Sequence, residues 1–302
     1  MNIHRAIVTG ASGFIGKKLI RELLNRNIRT CAVVRSTENL RDLVHSDLEI
    51  VECDFMHYND LKNIIMPDSD VFFHLAWNGV FGKDHKNYYL QMNNVIRCCD
   101  ALIAAADSGC RKFVFTSSVM TYEIALQNSR FYRDAHIYGN GKYSAEILCK
   151  TLSGLHGIEY CIATLANAYG PGERSMMIQN VLIKQLLEGI SPKLIKGDCL
   201  HDWVFVDDVV GSLIAIAECG KNNANYYVGH RKLRTFREIT TEVGKIVNPD
   251  IELKFGEFPD TPQIDYSNID LERLYIDTGF EAKADFAASI GMTADWIKAT
   301  LI

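Results

Sequence analysis

Short apolar segments alternate with helix-like segments through the first 165 residues of the chain. The apolar segments predict strands, at 6–8, 30–34, 48–52, 71–75, 112–116 and 160–164. The segments between them have helical spacing at 16–25, 59–65, 87–107 and 138–155. Strands that are apolar throughout and alternate with helices form a parallel sheet covered on both faces. The pattern therefore predicts an α/β fold with a doubly wound parallel sheet.

The pattern changes after Gly170, where short strands and helices mix. Helices are predicted near 176–188, 207–219, 235–247 and 286–300. Short strands are predicted near 193–196, 203–206, 226–228 and 252–255. We interpret this part as a smaller α/β unit that covers one edge of the sheet.

Composition excludes several classes of protein. The chain has 302 residues, 48% of them hydrophobic, and a net charge of −5. This charge argues against nucleic acid or an anionic membrane surface as a partner. No stretch of about 20 apolar residues could span a membrane, and Met1–Arg5 precede the first strand without an apolar signal core. The nine cysteines include no CxxC pair, so we expect reduced thiols, no metal site and a cytoplasmic protein.

A glycine-rich turn follows the first predicted strand and precedes the first predicted helix. Its glycines are Gly10, Gly13 and Gly16, in the spacing GxxGxxG. Glycines at a strand–turn–helix junction let the backbone approach a pyrophosphate, whose charge is stabilised by the helix N-terminus. The predicted cofactor-binding residues of this turn are Gly10, Ser12, Gly13, Phe14, Ile15 and Gly16. We therefore expect a dinucleotide-binding Rossmann domain at 1–168, with the crossover helix 207–219, and a substrate-binding lid at 169–302.

The residues after the second predicted strand bear on the choice of dinucleotide. A carboxylate at this place would bind the ribose hydroxyls of NAD, but here the strand leads into Arg35 and Ser36. Arg35 can pair with a 2′-phosphate and Ser36 can donate a hydrogen bond to it. The sequence favours NADP(H). The alternative is that Arg35 stacks on the adenine of NAD(H).

Motifs in both halves of the chain resemble the extended short-chain dehydrogenase/reductases. They are the glycine turn, Thr116-Ser117-Ser118, the pair Tyr138 and Lys142, the segment 167–172 and the segment 197–209. The resemblance is to the branch of nucleotide-sugar epimerases, dehydratases and reductases. It covers nearly the whole chain and implies a nucleotide-sugar substrate.

A tyrosine with a lysine four residues later suits hydride transfer at a carbinol or carbonyl carbon. Tyr138 is the predicted acid and base, although an unperturbed phenol has a pKa of about 10. Lys142 would lie on the same helix face, lower that pKa and contact the cofactor ribose. Ser118 would bind the reacting oxygen, and Ser117 is the competing candidate.

The resemblance assigns further roles residue by residue. Predicted cofactor contacts are Asp54, Phe55, Leu75, Ala76, Trp77, Asn93 and Thr116. An exposed helical amide is the alternative interpretation of Asn93. Predicted substrate residues are Ser118, Tyr138, Asn167, His201 and Arg174. His201 stands where the family has an arginine, and a histidine is a weaker, pH-dependent partner for an anion. Besides Arg174, the missing positive charge could come from Lys184, Lys193 or Arg234.

Departures from the family pattern narrow the reaction. Val119 and Met120 follow Ser118, where the 4,6-dehydratases carry an acid and a base, so dehydration is not expected. A Cys/His pair for 3,5-epimerisation is missing as well. The leading hypothesis is an NADPH-dependent reductase of a nucleotide-activated 4-keto-6-deoxy sugar. The alternative is a nucleotide-sugar 4-epimerase with tightly bound NAD. A non-sugar reductase and a catalytically inactive scaffold are further alternatives.

The resemblance also implies a quaternary state. The predicted helices at 87–107 and 140–155 carry apolar residues that one sheet face need not bury, among them Leu90, Ile96, Ile147 and Leu148. We expect a homodimer in which these helices form a four-helix bundle.

Overall fold

The computed structural model describes residues 1–125, 135–260 and 263–300. The strands are β1 (Arg5–Thr9), β2 (Arg29–Val34), β3 (Leu48–Glu52), β4 (Val71–His74), β5 (Lys112–Ser118), β6 (Glu159–Leu165), β7 (Asn167–Tyr169), β8 (Lys193–Leu194), β9 (Leu200–His201), β10 (Trp203–Phe205), β11 (Ala224–Val228), β12 (Arg234–Thr235) and β13 (Lys254–Phe255). The α-helices are α1 (Phe14–Asn25), α2 (Tyr88–Asp107), α3 (Met120–Ala125), α4 (Ala135–His156), α5 (Ile178–Leu187), α6 (Val206–Cys219), α7 (Phe236–Val247), α8 (Arg273–Thr278) and α9 (Phe286–Thr300). Short 3-10 helices occupy Thr37–Leu40, Phe55–Asn63, Gly82–Lys86 and Tyr266–Asn268.

Seven strands form one parallel sheet in the order β11-β6-β5-β4-β1-β2-β3. The chain moves outward from β1 through β2 to β3, then returns to β4 on the other side of β1. In such sheets a ligand crevice lies at the carboxyl ends of the strands where the direction reverses. The doubly wound parallel sheet predicted from the sequence is confirmed.

One strand that the sequence places in the smaller unit belongs to the main sheet. The strand predicted near 226–228 is β11, and it pairs in parallel with β6 at the edge of the main sheet. The boundary at residue 168 therefore does not divide the sheet from the rest of the chain. The pattern of a single apolar strand specifies its burial but not its pairing partner, which explains the error.

Alternate residues of each strand pack on opposite faces of the sheet. On β1, Val8 joins a core with α1 and α6, whereas Ile7 joins a second core with α2 and α4. The helix predicted at 59–65 is the 3-10 helix at Phe55–Asn63, and it belongs to the second core.

A third core forms around α5, α7 and α9. It includes Leu182, Phe236 and Ile290, and a hydrogen bond of 2.6 Å joins the hydroxyl groups of Tyr169 and Ser289. Short two-stranded pairs, β7 with β10, β8 with β13 and β9 with β12, complete this smaller unit. Within the described residues, no helix is long and apolar enough to cross a membrane.

The turn between β1 and α1 packs tightly against the end of β4. Gly10 has a φ of +66°, and a Cβ there would lie 2.8 Å from the backbone nitrogen of Ala76. A Cβ at Gly16 would lie 2.3 Å from the carbonyl oxygen of Gly10. The two glycines therefore allow a close turn that holds the N-terminus of α1 at the crevice.

Candidate active site

A cavity of about 800 Å³ lies at the carboxyl edge of the sheet, next to the β1–α1 turn. Most of the residues predicted from the sequence line it. They are Gly10, Ser12, Gly13, Phe14, Ile15, Gly16, Arg35, Phe55, Leu75, Ala76, Trp77, Thr116, Ser118, Tyr138, Lys142 and Asn167. The glycine turn and the Tyr138–Lys142 pair therefore share one cavity.

The carboxyl end of β5 meets one face of α4. The Lys142 ammonium donates a hydrogen bond of 2.7 Å to the Thr116 carbonyl oxygen and lies 4.0 Å from the centre of the Trp77 ring. The Tyr138 phenol interacts with Ser118, which lowers its pKa. Tyr138 and Lys142 are 6% and 3% exposed, so burial dominates their electrostatics.

Burial disfavours the charged form of both residues. It raises the pKa of Tyr138 to about 12, while the interaction with Ser118 opposes that shift. Burial lowers the pKa of Lys142 to about 7, against the opposing effects of Cys98 and Glu146. In the structure Ser118 lowers the pKa of Tyr138, whereas the sequence predicts this role for Lys142.

The two serines of β5 make different contacts. The Ser117 hydroxyl donates to the buried Glu146 carboxylate, whereas Ser118 faces Tyr138 and the cavity. This arrangement favours Ser118 as the partner of a reacting oxygen.

His85 is a cavity residue that the sequence analysis missed. Its ring lies over the Tyr138 ring, with 4.6 Å between the centroids and 33° between the planes. It belongs to the 3-10 helix at Gly82–Lys86, in a polar connection without a motif. Only the packing of this connection against α4 brings the imidazole to the site.

At the predicted adenosine end, Arg35 lies exposed at the carboxyl end of β2. Asn39, Phe55 and Tyr58 line the same part of the cavity wall. Ser36 is half-buried and lies outside the lining. Asp54 also lies outside it, because its carboxylate caps the following 3-10 helix by accepting from the Met56 N–H at 2.8 Å.

The predicted cofactor contact Asn93 on α2 lies outside the cavity lining. Asn94, not Asn93, makes the supporting contact. The Asn94 side chain accepts from the Asn78 N–H at 3.0 Å and donates to the Asn78 carbonyl oxygen at 2.8 Å. Asn78 lines the cavity, and Asn94 is fully buried whereas Asn93 is half-buried.

Two predicted substrate residues lie away from the cavity. Arg174 is exposed and outside the lining. His201 lies on β9 with its ring against Trp203 and Phe236. Burial lowers the pKa of His201 to about 4, so without a ligand the imidazole is neutral at pH 7.

The family model described as the NAD dependent epimerase/dehydratase family matches residues 6–229. The chain therefore belongs to this family, and it is an enzyme of the extended short-chain dehydrogenase/reductase type. Its motifs and its parallel sheet had implied that membership.

Similar proteins act on nucleotide sugars. UDP-glucuronic acid decarboxylase 3 of Arabidopsis thaliana is 27% identical over 86% of this chain and 79% of its own length. UDP-glucose 4-epimerase of Mycolicibacterium smegmatis is 27% identical over 97% of this chain and 98% of its own. The fold matches the Bordetella bronchiseptica enzyme WbmF, crystallised with NAD⁺ and UDP, with a TM-score of 0.80 at 22% identity, over 99% and 93% of the two chains. The expected preference for NADP and the expected 4-keto-sugar reduction are not confirmed by these comparisons.

Substitution of Asn93 and of Asn94 on α2 tests which of the two asparagines stabilises the backbone of Asn78. Asn94→Ala leaves two peptide groups of Asn78 without partners, so we expect a loss of about 1–3 kcal/mol in the free energy of unfolding. Asn93→Ala is the matched control, with an expected change within about 0.5 kcal/mol. Urea denaturation followed by circular dichroism measures both. An equal loss in the two variants would contradict the assignment to Asn94.

Proposed function

We propose that the protein is a nucleotide-sugar 4-epimerase that retains NAD(H) through both hydride transfers. The observation that carries the proposal is the composition of the cavity wall around Ser118, Tyr138 and Lys142. The next residues along the chain, Val119 and Met120, also line the cavity and carry no group that transfers a proton. The segment after Ser118 therefore lacks the acid and base that dehydration needs, which leaves a reaction at the tyrosine, lysine and serine.

The residues of the cavity fit a dinucleotide. The close β1–α1 turn leaves the backbone of Gly10 and Gly13 open to a pyrophosphate at the N-terminus of α1. Bound nicotinamide would accept a hydride from C4 of the sugar and return it. Lys142 lies between Trp77 and the end of β5, where it can contact the nicotinamide ribose and keep positive charge near Tyr138.

Tyr138 and Ser118 would handle the proton at the sugar oxygen. As its phenolate, Tyr138 would accept the proton of the 4-hydroxyl group as the C4–H bond breaks, while Ser118 would hold the oxygen. After the 4-keto sugar turns over in the cavity, Tyr138 returns the proton to the same oxygen. C4 thereby inverts, and the cofactor returns to its starting oxidation state.

The smaller unit would supply the nucleotide side of the site. Asn167, Glu173 and Met177 line the cavity from this side. The Asn167 amide donates to the Asp202 carbonyl oxygen at 3.0 Å, which fixes its orientation. We therefore retain Asn167 as the candidate contact to the substrate near its diphosphate.

The comparisons favour epimerisation over net reduction. One relative is named a UDP-glucose 4-epimerase, and WbmF was crystallised with NAD⁺ and UDP. One observation favours the second candidate, an NADPH-dependent reductase of a 4-keto-6-deoxy sugar nucleotide. Arg35 lies on the cavity wall at the end of β2, where it could pair with a 2′-phosphate.

Removal of the phenolic hydroxyl tests the chemistry. We expect Tyr138→Phe to bind NAD normally and to lose at least about 100-fold in turnover, because the acid and base is gone. The assay is NMR detection of C4 epimers from UDP-glucose, UDP-N-acetylglucosamine and UDP-glucuronic acid, and Tyr143→Phe on the same helix is the matched control. Near-normal turnover in Tyr138→Phe would remove it from the mechanism. Net NADPH oxidation with a 4-keto sugar, without epimers, would favour the reductase.

Cofactor titration separates the two candidate functions. The proposed epimerase binds NADH at least as tightly as NADPH, because Arg35 then contacts adenine or ribose without a phosphate partner. Arg35→Asp removes that contact, and Arg41→Asp, next to the same strand but outside the cavity, is the charge-matched control. Fluorescence titration measures both cofactors. A tenfold preference for NADPH, lost in Arg35→Asp and kept in Arg41→Asp, would instead support the reductase.

A homodimer is part of the proposal. On the outer surface of the second core, α2 exposes Met92 and Ile96, and α4 exposes Ile147 and Leu148, each 41–50% exposed. Pairing of α2 and α4 with the same helices of a second copy would bury this apolar surface around a two-fold axis.

Light scattering at micromolar concentration tests the homodimer. We expect a dimer of the wild-type protein and a monomer of Ile147→Glu, because a buried charge opposes association. Ile276→Glu, at an exposed isoleucine of α8, is the matched control and should stay dimeric. A monomeric wild type would refute this part of the proposal.

A further inference from the structure

The buried carboxylate of Glu146 lies on the same face of α4 as the active-site residues. Tyr138, Lys142 and Glu146 follow one another at intervals of four residues, so they lie on one face of the helix. Glu146 is buried, with 6% of the residue exposed, and does not line the cavity. The mechanism proposed above does not use it, and a buried carboxylate without a role is costly.

Three successive residues of β5 each contact one residue of this face. The Thr116 carbonyl oxygen accepts from Lys142, the Ser117 hydroxyl donates to Glu146, and Ser118 interacts with Tyr138. The middle contact lies between the two that hold the reacting groups. Loss of Glu146 would therefore release the central one of three contacts that align β5 with α4.

The charge of Glu146 acts on the neighbouring lysine. Burial raises the pKa of Glu146 to about 7, against the opposing effects of Ser117, Thr121 and Lys142. In turn, the carboxylate raises the pKa of Lys142.

The other titratable groups around this pair come from four elements. Cys98 on α2 also raises the pKa of Lys142, and the thiol of Cys98 interacts with His74 on β4. Tyr122 on α3 and Tyr160 on β6 are neutral phenols whose pKa values Glu146 raises further. Cys98 and Glu146 therefore both raise the pKa of Lys142, while the two neighbouring phenols stay neutral.

We propose that Glu146 is a positioning residue of this active site, which anchors Ser117 so that Ser118 meets Tyr138 and keeps Lys142 in its ammonium form. The inference rests on the acid–base roles of Tyr138 and Lys142 in the proposed function. It predicts that removing the charge, with the hydrogen bond kept, changes the protonation of Lys142.

The direct test measures the pKa of Lys142 without any substrate. In protein labelled with ¹³C-lysine, the Cε resonance of Lys142 is titrated by NMR and assigned with Lys142→Met. Glu146→Gln keeps an oxygen that accepts from Ser117 and loses the charge, so we expect the pKa of Lys142 to fall by at least about half a unit. Glu146→Asp keeps the charge and should restore most of the shift. Asp100→Asn, a half-buried carboxylate on α2 paired with Arg97, is the control without a shift.

Activity gives the second readout. Because Lys142 must be protonated, a lower pKa moves the alkaline limb of the pH–rate profile to lower pH in Glu146→Gln. A uniform loss at every pH, or an unchanged Lys142 pKa, would contradict the proposal. If no tested sugar turns over, the NMR titration still decides the role of Glu146 while the proposed function fails on its own.

If the Glu146→Gln variant does not fold, the same coupling can be measured from the other side, in Lys142→Met. In Lys142→Met the loss of the positive charge should raise the pKa of Glu146, because the coupling between two sites is mutual. Infrared difference spectra of the protonated carboxyl group report this shift. An unchanged Glu146 pKa in Lys142→Met would also overturn the proposal.

Discussion

The contact between the end of β5 and one face of α4 determines the geometry of the whole site. Hydrogen bonds join Thr116 and Ser117 to the helix, and Ser118 interacts there with Tyr138. β5 lies near the middle of the sheet, between β4 and β6, so its carboxyl end is fixed by the main core. The helix is therefore aligned against a strand of the main sheet, and both the serine and the tyrosine lie on regular secondary structure.

Burial gives this contact its chemical properties. The pKa of Tyr138 rises and that of Lys142 falls, because burial disfavours the charged form of each residue. Proton transfer from a sugar hydroxyl to Tyr138 would then need additional positive charge close to the phenol. Glu146 opposes the loss of charge on Lys142. Tyr138 and Lys142 both line the cavity, so they stay open to ligands.

The sequence predicted what depends on local patterns. Apolar periodicity predicted the parallel sheet, and the glycine spacing predicted the turn at Gly10, where a side chain would collide with β4. Residues whose position depends on packing were harder to predict. Asn93 and Asn94 are the same residue type one position apart, and only the rotation of α2 decides which of them meets Asn78.

Three other residues could not be placed correctly from the sequence, for similar physical reasons. His201 occupies an arginine position of the motif, but the sequence does not reveal that Phe236 packs against its ring. His85 reaches Tyr138 through a 3-10 connection without periodicity. Glu146 follows Lys142 by one helical turn, a spacing equally typical of an ordinary surface ion pair. Burial, which distinguishes these cases, appears only once the chain is folded.

The central claim is that the hydride leaves C4 and returns to the same sugar. The most direct measurement uses a UDP-sugar deuterated at C4, purified enzyme loaded with NAD, and an excess of unlabelled NADH and NADPH in solution. Mass spectrometry and NMR then follow the label. The account predicts the C4 epimer with deuterium retained at C4 and none in the free cofactors. Deuterium in the free cofactor pool, or a reduced product without the epimer, would contradict it.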